Sequence, residues 1–186
     1  MVYAPPKRKL TADEYQCMGQ HGIIGEDERV ELLDGELYLM PPIGDGHIGD
    51  VNSLDFHFNR RLGNRAIVSV QNPIRLSDFS EPEPDITILR FRPDFYRKGK
   101  ARPEDVLLLV EVAESSLAYD RLTKLPRYAS AGIPEVWIVN LVDDRVEVYR
   151  DPTADGYRSH TVHGRGETLT PLALPDVSIR VEEILG

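Results

Sequence analysis

The stretch VLLLVEVAESSLAYDRLTKLPRYASAGIPEVWIVNL, Val106 to Leu141, decides the fold. Val106 to Ala113 is apolar on both faces except at Glu111, as a strand covered on both sides should be. Leu117 to Ala131 reads as a helix that Gly132 and Pro134 stop, with Pro126 predicting a kink. Glu135 to Leu141 is a second buried strand. Strand, helix and strand in this order give an α/β domain, a central sheet flanked by helices.

The flanking sequence extends that frame. Upstream, Asp85 to Leu89, Ile74 to Leu76 and Ala66 to Val70 read as strands. Before them, Ile48, Val51, Leu54, Phe58 and Leu62 recur at three and four, predicting a helix with one buried stripe that Gly63-Asn64 ends. Arg29 to Met40 holds two apolar arms around Asp34-Gly35, a hairpin signal that places Glu31 on the first arm. Thr11-Ala12-Asp13-Glu14 is a capping box that opens a short helix ending near His21-Gly22. Downstream, Arg145 to Arg150 alternates Val146 and Val148 with charges, as an outer hairpin strand would, and Tyr157 to Gly186 reads as short edge strands and turns.

A chain of 186 residues suits one domain, taken as residues 1–186. Its single cysteine, Cys17, forms no internal disulfide, and MVYAPPKRKL lacks the apolar stretch of a secretory signal, so the expected location is cytoplasmic. No apolar run approaches the roughly 20 residues that span a bilayer. With 22 Lys and Arg against 31 Asp and Glu, the formal charge of -9 has the wrong sign for binding nucleic acid through the net field. Nucleic-acid binding would need a local basic patch, and RFRPDFYRKGKAR, Arg90 to Arg102, offers one. Arg97, Lys98, Lys100 and Arg102 could track phosphates while the interleaved aromatics stack on bases; the competing reading is a solvated connector. Because this loop joins the strands of Asp85 and Glu111, its ends are expected near those acids.

A carboxylate after five aliphatic residues is costly to bury without a partner, which singles out Glu111. Strand parity lets Asp85 converge with it if the two strands pair. Two such hard oxygen ligands suit Mg²⁺ or Mn²⁺. Asp120, Lys124 and Tyr128 lie four apart on the following helix, where Lys124 could hold or deprotonate an attacking water. Acids gathered around an absent ion repel, so Asp85→Asn or Glu111→Gln is expected to stabilise the metal-free protein by about 0.5 to 2 kcal/mol. Gly44-Asp-Gly-His-Ile-Gly49 matches G-x-G-x-x-G, but Pro41-Pro42 precede it and no acid stands near Ser69 to Gln71, which argues against a dinucleotide site.

The stretches VELLDGELYLMPP and PEPDITIL, with the run from Leu107 to Leu141, resemble the Uma-two family of restriction-endonuclease-like proteins, placed in the PD-(D/E)XK nuclease superfamily. The similarity covers nearly the whole chain. It implies a restriction-endonuclease-like mixed sheet with an N-terminal hairpin and C-terminal antiparallel edge strands. It also implies a Mg²⁺- or Mn²⁺-dependent endonuclease acting on nucleic acid, DNA before RNA, and a homodimer. Asp85 would be the acid of the "PD" element, Glu111 that of the "E-x-K" element, Glu31 an accessory acid and His47 a polar residue lining the site. Ala113 stands where the superfamily places its lysine, and the resemblance implies that Lys124 replaces it. The alternative is a nuclease-like binding or assembly protein that has lost the reaction.

Overall fold

The computed structural model describes residues 6–25, 27–42 and 44–186. Helix α1 spans Ala12–Gln20, strands β1 and β2 span Val30–Leu33 and Glu36–Leu39, and helix α2 spans Asp45–Leu62. Strands β3, β4 and β5 are Ala66–Val70, Ile86–Arg90 and Val106–Ala113. A helical segment follows as α3, Leu117–Tyr119, a π-helical turn, Asp120–Lys124, and α4, Leu125–Ser130. Strands β6, β7 and β8, Glu135–Asn140, Arg145–Thr153 and Gly156–His163, complete a six-stranded sheet in the order β3-β4-β5-β6-β7-β8. Short strands β9, Thr168–Leu169, and β10, Ile179–Arg180, pair with each other, and α5 covers Val181–Ile184. No described helix is long and apolar enough to cross a membrane.

The sheet is mixed: β5 and β6 run parallel and every other neighbouring pair is antiparallel. A parallel pair needs a crossover, and the 117–130 segment supplies it, packing Tyr128 against one sheet face with Leu109, Ala113, Val136 and Ile138. On the other face α2 buries Val51, Leu54, Phe58 and Leu62 against Ile86, Leu108, Val110 and Trp137. Leu109, Glu111 and Ala113 alternate with Leu108, Val110 and Val112. Glu111 therefore faces the crossover segment.

Several expectations need correction. Ile74–Leu76 forms no strand; its amides bond to Pro82 O, Ala101 O and Ser80 O in a looser extended turn, and Pro73 breaks the run before it. Ile48 lies on the exposed side of α2, although the rest of its stripe is buried. The crossover contains a π-helical turn rather than regular helix. Leu125 N–H reaches back five residues to Asp120 O, directly before Pro126, which has no N–H to continue the regular ladder. Strand β7 is interior, because β8 covers its far side, and Glu147 is buried with its valine neighbours. The 44–49 glycine stretch caps and enters α2, and the strand before it is β2 of the separate hairpin rather than a strand of the central sheet.

The hairpin turn has φ of 51° at Asp34 and 80° at Gly35, the left-handed pair that a two-residue turn requires. A Cβ at Gly35 would also meet Lys9 Cβ at 2.5 Å and Leu10 O at 3.1 Å. Gly35→Ala is therefore expected to cost about 1–3 kcal/mol. Urea denaturation checks this, and an unchanged midpoint would contradict it.

Candidate active site

Ile86 pairs with Val110, so the antiparallel register continued by one residue sets Asp85 beside Glu111. The β4 ladder ends there, and the Asp85 side chain takes over the next amide: Val112 N–H donates to Oδ2 at 2.8 Å. Asp85 Oδ1 faces His47 Nε2 at 2.8 Å, near the N-terminus of α2, and lies 3.4 Å from Gln71 Nε2.

On the neighbouring strand, Glu111 Oε1 accepts from Tyr128 Oη at 2.5 Å and lies 2.7 Å from Lys124 Nζ. The same ammonium donates to Glu31 Oε1 at 3.2 Å, an oxygen that also accepts from Glu83 N–H. Ser116 Oγ donates to Asp120 Oδ2 at 2.7 Å. Side chains from the hairpin, α2, the residue before β4, β5, the π turn and α4 thus meet at one place. Glu31, Asp85, Glu111, Asp120, Lys124 and Tyr128 are all buried there. An adjoining cleft of about 80 Å³ is lined by Glu31, His47, Asp85, Glu111, Asp120 and Lys124.

Charge explains the arrangement. Burial alone would lower the Lys124 pKa, but Glu111, Glu31 and Asp120 outweigh it and hold the amine protonated well above its ordinary range. One ammonium cannot neutralise so many acids. Burial, assisted by Asp120, Asp85 and Glu31, pushes Glu111 well above the usual carboxylate range despite Lys124. Asp85 moves the other way: burial raises it, but the hydrogen bond and charge of His47, the Val112 amide and Lys124 bring it below its ordinary value. The same Asp85 hydrogen bond raises His47.

Arg29, Glu83 and Glu114 line the cleft as well and were not singled out from the sequence. For Glu83 there was a signal: in Glu81-Pro-Glu83-Pro-Asp85 the acids alternate, so an extended chain projects them to the same side. Arg97, Lys98, Lys100 and Arg102 do not line this cleft. Asp85 immediately precedes β4 and the basic loop follows its last residue, Arg90, about 17 Å further along at strand rise.

The π turn is tied from behind. Arg121 Nε donates to the buried carboxylate of Glu147 at 3.0 Å, and Asn140 and Tyr149 donate to the same group. Arg121→Ala is expected to lower stability by about 1–3 kcal/mol, because Glu147 remains buried with its ionic partner gone. A denaturation midpoint equal to that of wild type would show the contact to be idle.

Among the described residues no three His, Cys, Asp or Glu side chains are grouped closely enough to hold a metal ion; the acids surround the Lys124 ammonium instead. The donor set is nevertheless all hard oxygen. Buried Glu31 Oε2 also has no hydrogen-bond partner among the described residues, an orphaned acceptor that suits a divalent cation.

Comparison with solved structures finds the crystal structure of a "putative nuclease belonging to DUF820" from Anabaena variabilis. Its TM-score is 0.73 at 14% identity, with 95% of this chain and 97% of that chain covered. At that identity the likeness is one of fold. No curated protein matches. A family model described as "Putative restriction endonuclease" matches residues 12–182, and with that span covered the chain belongs to the Uma2 family.

Proposed function

We propose that this protein is a nuclease that hydrolyses phosphodiester bonds, with DNA as the expected substrate and Mg²⁺ or Mn²⁺ as cofactor. The observation that carries the reading is the Lys124 ammonium held between Glu111 and Glu31, in the cleft that also exposes part of Asp85. Asp85 and Glu111 would hold the ion, with Glu31 Oε2 as an additional oxygen. When bound, the ion stabilises charge on the phosphate oxygens and acidifies a nearby water.

The protein's own groups divide the remaining work. Lys124, held protonated, acts as a cation and hydrogen-bond donor that positions the attacking water, and not as its base. Glu31 Oε1 anchors the Lys124 ammonium, which leaves Oε2 for the ion. His47 and the Val112 amide fix the Asp85 carboxylate by occupying one oxygen each. Tyr128 orients Glu111 through its hydroxyl.

Titrating Mg²⁺ into wild type and Asp85→Ala by calorimetry tests the cofactor. The expected result is binding by wild type that the variant loses. No heat at millimolar Mg²⁺ or Mn²⁺ would overturn the metal site, whereas binding without cleavage of any nucleic acid would favour a nuclease-like binding protein.

A further inference from the structure

A second pocket opens on the same sheet, reaching from Leu89, near the end of β4 away from the acids, to Asn72 just beyond β3. It has a volume of about 330 Å³ and lies between the outermost strand β3 and the basic loop. That volume is at the lower end of the range for small-molecule sites, about 300–1,000 Å³. Ile67 and Leu89 contribute apolar lining, Phe95 and Tyr96 contribute aromatic rings, and Asn72 and Lys100 bring polar groups to it.

The loop supports these rings at a conformational cost. Phe95 and Tyr96 have φ of 50° and 60°, left-handed backbone that bulky residues rarely adopt, twice in succession. Tyr96 is held there: its hydroxyl donates to Arg90 O at 2.8 Å, and the Arg92 guanidinium lies 4.2 Å from its ring centroid. Phe95 touches Phe91 edge to face, yet both remain about half exposed, at 57% and 47%. Exposed Arg97, Lys98 and Arg102 belong to the same loop and form no ion pair among the described residues, whereas Lys100 is paired with Glu81. Since β3 is the sheet's edge, backbone groups on its free side have no strand partner either.

An aromatic wall, adjacent polar groups and unneutralised cations together match a planar base carrying a phosphate. We propose that this pocket takes an unpaired nucleotide of a nucleic-acid strand, with the base against Phe95 and Tyr96 and flanking phosphates on Arg97, Lys98 and Arg102. The inference rests on the nucleic-acid reading above and adds to it a strand contact outside the acidic cleft. A base inside a duplex is stacked and paired, so the pocket favours single-stranded substrate or a strand end.

Fluorescence anisotropy in chelator, where metal-dependent cleavage is blocked, tests the proposal with the full chain, a labelled 12-nucleotide single strand, the matching duplex, and free dAMP as competitor. Single strand is expected to bind more tightly than duplex. Phe95→Ala should weaken it about tenfold, as should Phe95→Leu, which keeps apolar bulk but removes the ring. Arg97→Ser with Lys98→Ser and Arg102→Ser should flatten the salt dependence. Equal affinity of wild type and both Phe95 variants, or preference for duplex, overturns the proposal. Competition by dAMP at the strand's own dissociation constant would also overturn it, making this a site for free nucleotides. Cleavage assays run separately keep the two readings apart. A wild type that cleaves without Phe95-dependent binding defeats the pocket alone, and one that binds through Phe95 but never cleaves defeats the hydrolysis alone.

Discussion

Lys124→Ala is expected to lower the stability of the metal-free protein by about 3–5 kcal/mol, in addition to abolishing cleavage. Lys124 is 2% exposed, and its ammonium serves two carboxylates that are themselves buried. Truncation leaves Glu31 and Glu111 facing each other with no cation between them. From sequence alone, this lysine would be expected to act only in the transition state, with its loss sparing the fold; its burial reverses that expectation. The sign with pH follows from the raised amine. Its stabilising contribution is fully present below pH 10.5, the ordinary lysine value, and disappears as pH rises through the higher folded value. Urea denaturation in chelator, at neutral and at alkaline pH, measures the difference. Adding Glu31→Gln should recover part of the loss by removing one stranded charge, a coupling that independent sites would not show. A variant as stable as wild type would mean that the ion pairs do not form.

Asp85→Asn is expected to destabilise the metal-free fold and Glu111→Gln to leave it nearly unchanged or more stable, while both remove cleavage. Asp85 accepts the Val112 amide and the His47 ring, and its pKa is lowered, so the structure prefers its charge. An amide there weakens both contacts and is expected to cost about 1–3 kcal/mol. The expectation that either amide would stabilise the protein therefore loses its basis for Asp85. For Glu111 it keeps its basis, since burial raises this acid and Gln can still accept from Tyr128 and Lys124. Glu111→Gln should lie within about 1 kcal/mol of wild type or above it at neutral pH. Because folded Glu111 binds its proton more tightly than the unfolded chain does, wild type loses stability as pH rises from 4.5 toward the raised value. The Gln variant does not share that loss. Thermal melts of the three proteins in chelator between pH 4 and 8 decide this, and Asp85→Asn melting above wild type would contradict the account.

The central sheet was legible because β5 and β6 are continuous apolar runs, and the hairpin because Asp34-Gly35 supplies two left-handed residues. Glu111 was legible for the same reason that it is unusual, as a charge inside such a run. The π turn was not, because Pro126 announces a missing donor without saying how the helix reroutes its hydrogen bonds. Strand β7 was read as an outer hairpin strand, since its buried Glu147 is neutralised by Arg121 from a distant element, and alternation of charges cannot reveal a partner. C-terminal residues such as Val177, Ile179 and Ile184 fill the core beside α2; Val177, Ile179 and Val181 alternate with Ser178 and Arg180, but the strand there is only Ile179–Arg180, too short an alternation to mark core. The basic loop was placed near the acids because it connects their strands. Asp85 precedes its strand and Glu111 lies late in its own, so a loop joining the opposite ends is carried away from both.

The most direct test of the account is cleavage of single-stranded, duplex and branched DNA by wild type and Glu111→Gln, with Mg²⁺, with Mn²⁺ and with chelator. Glu111→Gln serves because it is expected to remain folded. The account predicts products only from wild type and only with a divalent ion. Equal cleavage by the Gln variant, or intact DNA with a wild type that is shown to bind the metal, would contradict it.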